Sequence, residues 1–157
     1  MTVTVTAEHV YKEPVEMVAA THLSKFPNEY DPNILSCNVV ECRVQDDGRT
    51  YTRRVAAVRN VLPQLLRRIK SLQCEQLMVE EECWWDWKSR KLDVKSCNLS
   101  ASDWITLMEN SSYSPYNQNP NWFLNAGAQR SIAVTEKLMA EKANRIKSCW
   151  FSEFLFA

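Results

Sequence analysis

Residues 33–58, NILSCNVVECRVQDDGRTYTRRVAAV, decide the fold class. Asn33 to Gln45 is β-rich, and Thr50 to Val58 returns with β-branched and aromatic residues of the same kind. Between them Asp46-Asp47-Gly48 is a hairpin turn signal, because a tight reversal favours residues that tolerate positive φ. Gln76 to Asp86 and Lys91 to Ser100 repeat the arrangement, and Asp103 to Tyr113 supplies a further strand. Thr2 to Tyr11 also alternates, with Val3, Val5, Ala7, His9 and Tyr11 on one side, and reads as a strand.

Three stretches have the helical period instead. Pro14 stands where a helix begins without losing a hydrogen bond, and Val15, Val18, Ala19 and His22 form a stripe that ends at Lys25-Phe26-Pro27-Asn28. Leu62, Leu65, Leu66, Ile69 and Leu72 line one side of Val61 to Leu72. Ala126 to Trp150 is a long amphipathic helix, apolar at Ala128, Ile132, Met139, Ala143, Ile146 and Trp150. The order of strand, helix, hairpins and terminal helix predicts an α+β fold, a curved antiparallel sheet wrapped around the long C-terminal helix. Such a concave sheet can enclose an apolar ligand. Neither internal repeats nor a linker interrupt the chain, so one domain is expected.

Composition narrows the functional classes. The 157 residues include 45% hydrophobic and 24% charged, an ordinary globular balance. Only two glycines occur, Gly48 and Gly127, too few for a phosphate-cradling loop or a dinucleotide fingerprint. Nineteen basic residues balance nineteen acidic ones, so attraction to an anionic partner rests on local patches, and nucleic acid is not an expected partner. Cys37, Cys42, Cys74, Cys83, Cys97 and Cys149 contain no Cys-x-x-Cys pair and no neighbouring histidine. They read as free thiols used as small buried hydrophobes, with no metal site and no cofactor. No secretory signal precedes the first strand-like run and no apolar stretch is long enough to span a bilayer, so a soluble protein is expected.

Several residue groups have two readings. Arg67, Arg68 and Lys70 oppose the apolar stripe of Val61 to Leu72, as in a helix lying in an anionic membrane interface. Periodicity alone equally describes, and favours, an ordinary surface helix with its apolar side on the core. Strand alternation puts Glu81 on the row of Leu77, Val79 and Cys83, where a carboxylate must be paired or protonated. Arg53 and Arg54 point to opposite faces of the preceding strand, so one faces inward. A structural ion pair with Glu81 is the plainer outcome; a cation kept for an anionic ligand is the sharper one. Lys25 and Arg130 read as solvated on spacing alone. Trp84, Trp85 and Trp87 beside Lys88, Arg90 and Lys91 form a hairpin tip suited to a membrane interface. His9 and His22 sit in no ligand or nucleophile motif, so no enzyme activity is expected.

The motifs together resemble one family. Val10-Tyr11-Lys12-Glu13-Pro14 with Lys25-Phe26-Pro27-Asn28 is similar to the N-terminal signature of PRELI domains. Arg49-Thr50-Tyr51-Thr52-Arg53-Arg54 followed by Val61-Leu62-Pro63 resembles the family's strand and lid entrance. Val79-Glu80-Glu81-Glu82-Cys83 and Ser96-Cys97-Asn98-Leu99-Ser100 resemble its central hairpin. Glu109, Tyr113-Ser114-Pro115 and Asn119-Pro120-Asn121-Trp122 complete the run. The resemblance implies a START-like phospholipid carrier in the mitochondrial intermembrane space, with the cytoplasm as the other location. It implies phosphatidic acid or phosphatidylserine as cargo, an anionic membrane surface as docking partner, and a small twin-cysteine-motif helical protein as companion. Matched by position, Lys25, Arg54 and Arg130 meet the lipid head group, and Glu81 and Asn98 are structural polar residues. Leu62, Pro63, Leu65, Leu66, Arg67, Arg68, Ile69 and Lys70 form the lid and its membrane contact.

The chain departs from that pattern after Trp122. Phe123-Leu124-Asn125 leads directly into Ala126-Gly127-Ala128-Gln129-Arg130, which resembles the middle of the family's long helix. One strand and part of the helix are missing, roughly 25 to 30 residues by ordinary element lengths. The expected domain is residues 1–148, followed by a divergent apolar tail at 149–157. A missing strand opens a sheet edge, and a shortened helix covers less. The alternative to a carrier is therefore a partly folded form that binds a partner or a membrane without moving lipid.

Overall fold

The computed structural model describes residue 4 and residues 6–60, 68, 70, 73–103, 106–115 and 134–141. They form an α+β architecture in two compact units, residues 26–114 and residues 1–25 with 115–157.

The first of these is a curved, open antiparallel sheet of five strands in sequence order. The strands are β1 (Ile34–Val44), β2 (Thr50–Arg59), β3 (Gln76–Asp86), β4 (Lys91–Asn98) and β5 (Met108–Tyr113). Two tight turns set the register. Gly48 takes φ +85, a left-handed conformation that costs a side-chain-bearing residue strain, and its N–H donates to the Gln45 carbonyl at 2.9 Å. The Asp47 carboxylate accepts the Arg49 N–H at 3.0 Å and its Nε at 2.7 Å, which holds that carboxyl below its usual range. In the β3–β4 turn Asp86 accepts the Ser89 hydroxyl at 2.7 Å and the Lys88 N–H at 2.8 Å, and is lowered in the same way.

The resulting register places Arg54 opposite Glu81, Cys83 opposite Val94 and Trp85 opposite Leu92. Arg54, Cys83, Trp85, Leu92 and Val94 are all buried on this one face. Each large apolar side chain so buried contributes about 1.5–3 kcal/mol. The other face carries a row of alternating charge across four strands, Glu41, Arg53, Glu82 and Lys95. Tyr51 is nevertheless buried on that face. Trp84 lies 5.5 Å from its ring, the Arg43 guanidinium sits 5.2 Å over it, and its hydroxyl donates to Glu82 at 2.7 Å.

β5 starts later than the sequence pattern predicts, and Asn98 is the reason. Its N–H donates to the Leu107 carbonyl at 3.3 Å and its side-chain oxygen accepts the Leu107 N–H at 2.7 Å. The amide NH2 also holds the Ser100 carbonyl at 2.7 Å, so Asn98 ties Ser100 and Leu107 together just before β5 pairs with β4 from Met108.

In the other unit, α1 (Val15–Ser24) buries its predicted stripe of Val15, Val18, Ala19 and His22. Pro14 accepts the first helical N–H groups, from Met17 at 3.0 Å and Val18 at 3.1 Å. Among the described residues a further α-helical stretch, α2, covers 134–141, with Val134, Thr135 and Met139 buried. The rest of the expected 126–150 helix, and the junction after Trp122, lie outside the described residues.

The expected strand at Thr2 to Tyr11 is corrected. Described residues 4 and 6–11 carry no strand, although Ala7, His9 and Tyr11 are half-buried and Glu8 and Val10 exposed. The alternation survives while the ladder does not, and side chains of this segment instead meet those of α2. His9 Nε2 meets Glu136 Oε1 at 2.8 Å. Burial pushes the Tyr11 phenol up to about 12, against the opposing effect of a hydrogen bond with Thr135.

Candidate functional site

On the buried sheet face, β2 and β3 bring the charged pair Arg54 and Glu81 side by side. Arg54 donates through Nε to Glu81 Oε1 at 3.0 Å and through Nη2 to the same oxygen. The Cys83 thiol, two residues along the same row, donates to that oxygen at 3.1 Å. The arginine side chain is 4% exposed and the glutamate 21%. Burial works against the guanidinium charge, but the Glu81 carboxylate outweighs it and holds the Arg54 pKa above its ordinary value. Burial, reinforced by the same carboxylate, pushes the Cys83 thiol far up, so this thiol stays protonated.

Arg53, one residue away, faces the charged side. Its Nη1 donates to Glu80 at 3.0 Å and its Nε lies 3.4 Å from Glu41. These partners are partly exposed, and solvent screening keeps such pairs weak. The inward arginine is therefore Arg54, the one matched by family resemblance, and the expected ion pair with Glu81 is formed.

Lys25 is placed at the C-terminal cap of α1, where the helix dipole favours a cation. It is 4% exposed, so the solvated reading does not hold. Of the lid residues, Arg68 and Lys70 are described and both are exposed. Leu62, Pro63, Leu65, Leu66, Arg67 and Ile69 lie outside the described residues, as does Arg130. Asn98 makes the tie described above.

Sequence reading missed Asn60. This asparagine ties the end of β2 to the residues that lead into β3. Its N–H donates to Glu75 O at 2.9 Å and its Nδ2 to Cys74 O at 2.7 Å. It is 2% exposed, and only its position directly after a strand hinted at the role. The cysteines are also more varied than expected. Among the described ones all are free thiols, but Cys83 alone is buried, Cys37 and Cys97 are half-buried, and Cys42 and Cys74 are exposed. Among the described residues no helix is long and apolar enough to cross a membrane.

A profile described as the PRELI-like family matches residues 16–154. The UPS-like protein C36.10 of Schizosaccharomyces pombe is 31% identical over 109 residues, covering 69% of this chain. The match spans 58% of that relative's length. The profile thus runs through α1, all five strands and α2, and a relative aligns over more than two thirds of the chain. On these grounds the chain belongs to the PRELI-like family.

Proposed function

We propose that this chain binds a single acidic phospholipid and transfers it between membranes by binding and release, with no covalent chemistry. Membership of the PRELI-like family over residues 16–154 is the observation that carries this reading. The sheet face supports it: Leu92, Val94 and Trp85 give it apolar side chains of the kind acyl chains pack against, and an acyl chain so placed gains about 25 cal/mol per Å² of its own surface removed from water. Phosphatidic acid or phosphatidylserine is the proposed cargo, moved across the mitochondrial intermembrane space. A small twin-cysteine-motif helical protein is the proposed companion.

Lys25 is the proposed first contact of the head group, since a phosphate is best recognised by a partly desolvated cation. Arg130 is the proposed second. Arg54 is committed to Glu81, so its proposed contribution is field and position rather than a free charge. Exposed Arg68 and Lys70 attract the anionic surface on which lipid is exchanged.

The test is transfer of a fluorescent phosphatidic acid or phosphatidylserine between donor and acceptor vesicles, alongside phosphatidylcholine. Transfer of the acidic lipids, slowed by Lys25→Glu, supports the carrier. Vesicle binding without transfer of any lipid establishes instead the alternative, a partner- or membrane-binding form.

A further inference from the structure

We propose that the β3–β4 hairpin tip, residues 87–90, is a membrane-contact site that seats in the head-group layer of an anionic bilayer. The proposal rests on the carrier reading and adds a contact distinct from the 61–72 segment. Trp87 is 66% exposed, an unusual position for so large an apolar ring on a tight turn. It is not loose: Trp85, itself buried, meets it edge-on with ring centroids 5.5 Å apart. A held, outward indole with an apolar body and a polar N–H suits the bilayer interface.

Charge at the tip fits the same partner. Trp87-Lys88-Ser89-Arg90 carries two exposed cations and no anion. The anions nearby stand one step back and are engaged. Asp86 is occupied by the turn N–H of Lys88 and by Ser89, Lys91 pairs with Asp93 at 3.0 Å, and Asp47 pairs with Arg49 at 2.7 Å. Asp46, on the neighbouring turn, is a further acid among the described residues at this end of the sheet. The register row Val44, Thr50, Trp85 also brings the exposed Val44 to this end.

The tip lies at the far end of β3 from Asn60. The eleven residues of β3 span about 36 Å at about 3.3 Å per residue. Lipid retention is read on the same variants, and retained lipid with lost flotation separates this proposal from the carrier reading; because Trp87 packs on Trp85, the variant at Lys88 and Arg90 is the decisive one.

The experiment is flotation of the full chain with phosphatidylcholine vesicles containing or lacking phosphatidylserine. Bound phospholipid is measured in parallel by native mass spectrometry. Losing each cation weakens binding about fivefold, so Lys88→Ala with Arg90→Ala weakens it about twenty-five-fold. Trp87→Ala weakens it about tenfold. Trp87→Phe reduces the quenching of tryptophan emission by brominated lipid vesicles that the wild type shows. Retention of lipid by all variants, with these losses of flotation, supports the proposal. Flotation of the variants equal to wild type, equal binding to phosphatidylcholine alone, or no flotation of the wild type each overturns it.

Discussion

Removing Glu81 takes from Arg54 the carboxylate that offsets its desolvation, in a side chain only 4% exposed. Breaking a buried pair from one side costs about 3–5 kcal/mol. Glu81 is itself 21% exposed, so water relaxes part of the penalty and Glu81→Ala belongs at the lower end, about 3 kcal/mol. Arg54→Met should cost less, about 2 kcal/mol, because the carboxylate left behind can hydrate or take up a proton. Replacing both, as Arg54→Met with Glu81→Leu, removes both charges from the buried face and should return to within about 1 kcal/mol of the parent. For a chain of this length, 3 kcal/mol lowers Tm by about 6–12 °C, well resolved by near-ultraviolet circular dichroism. The double-substituted chain melting above both single variants confirms the pair as a coupled buried unit. A double variant whose loss equals the sum of the singles refutes the reasoning, since the two groups would then act independently.

Other consequences follow from neighbouring geometry. Asn60→Ala removes the 2.7 Å donor of the Cys74 carbonyl in a part-buried hydrogen bond and should cost about 0.5–1.5 kcal/mol in urea unfolding; an unmoved midpoint would exclude the tying role. In the native chain, iodoacetamide should label exposed Cys42 and Cys74 while sparing Cys83 until unfolding; equal labelling of Cys83 would contradict its burial and raised pKa. Burial and the bond to Glu82 push the Tyr51 phenol from 10.0 up to about 12. Between those values the folded chain keeps a proton that the unfolded chain has lost, so stability held below pH 10 falls as pH rises through that window. Tyr51→Phe should flatten this alkaline fall in Tm, leaving a remainder from Tyr11; an unchanged slope would show that Tyr51 does not contribute.

What the sequence disclosed follows the physics of local signals. Asp46-Asp47-Gly48 located the first hairpin because a turn that needs positive φ leaves a compositional mark. Once the hairpins were placed, period-two alternation put Glu81 on the Cys83 row and Arg53 and Arg54 on opposite faces, and the register pairs Arg54 with Glu81. Alternation could not distinguish a ladder from an extended segment held by side chains, which is why residues 6–11 read as a strand. Nor could it anticipate that Asn98 would satisfy Leu107 with its side chain and delay β5. The burial of Lys25 and of Tyr51 depends on tertiary neighbours that no spacing encodes.

Native mass spectrometry of the purified chain, beside Lys25→Glu, tests the central claim most directly. The carrier account predicts one acidic phospholipid per chain in the wild type and its loss in the variant, with the fold retained by circular dichroism. A folded wild type that carries no phospholipid after incubation with phosphatidic acid or phosphatidylserine vesicles would contradict it.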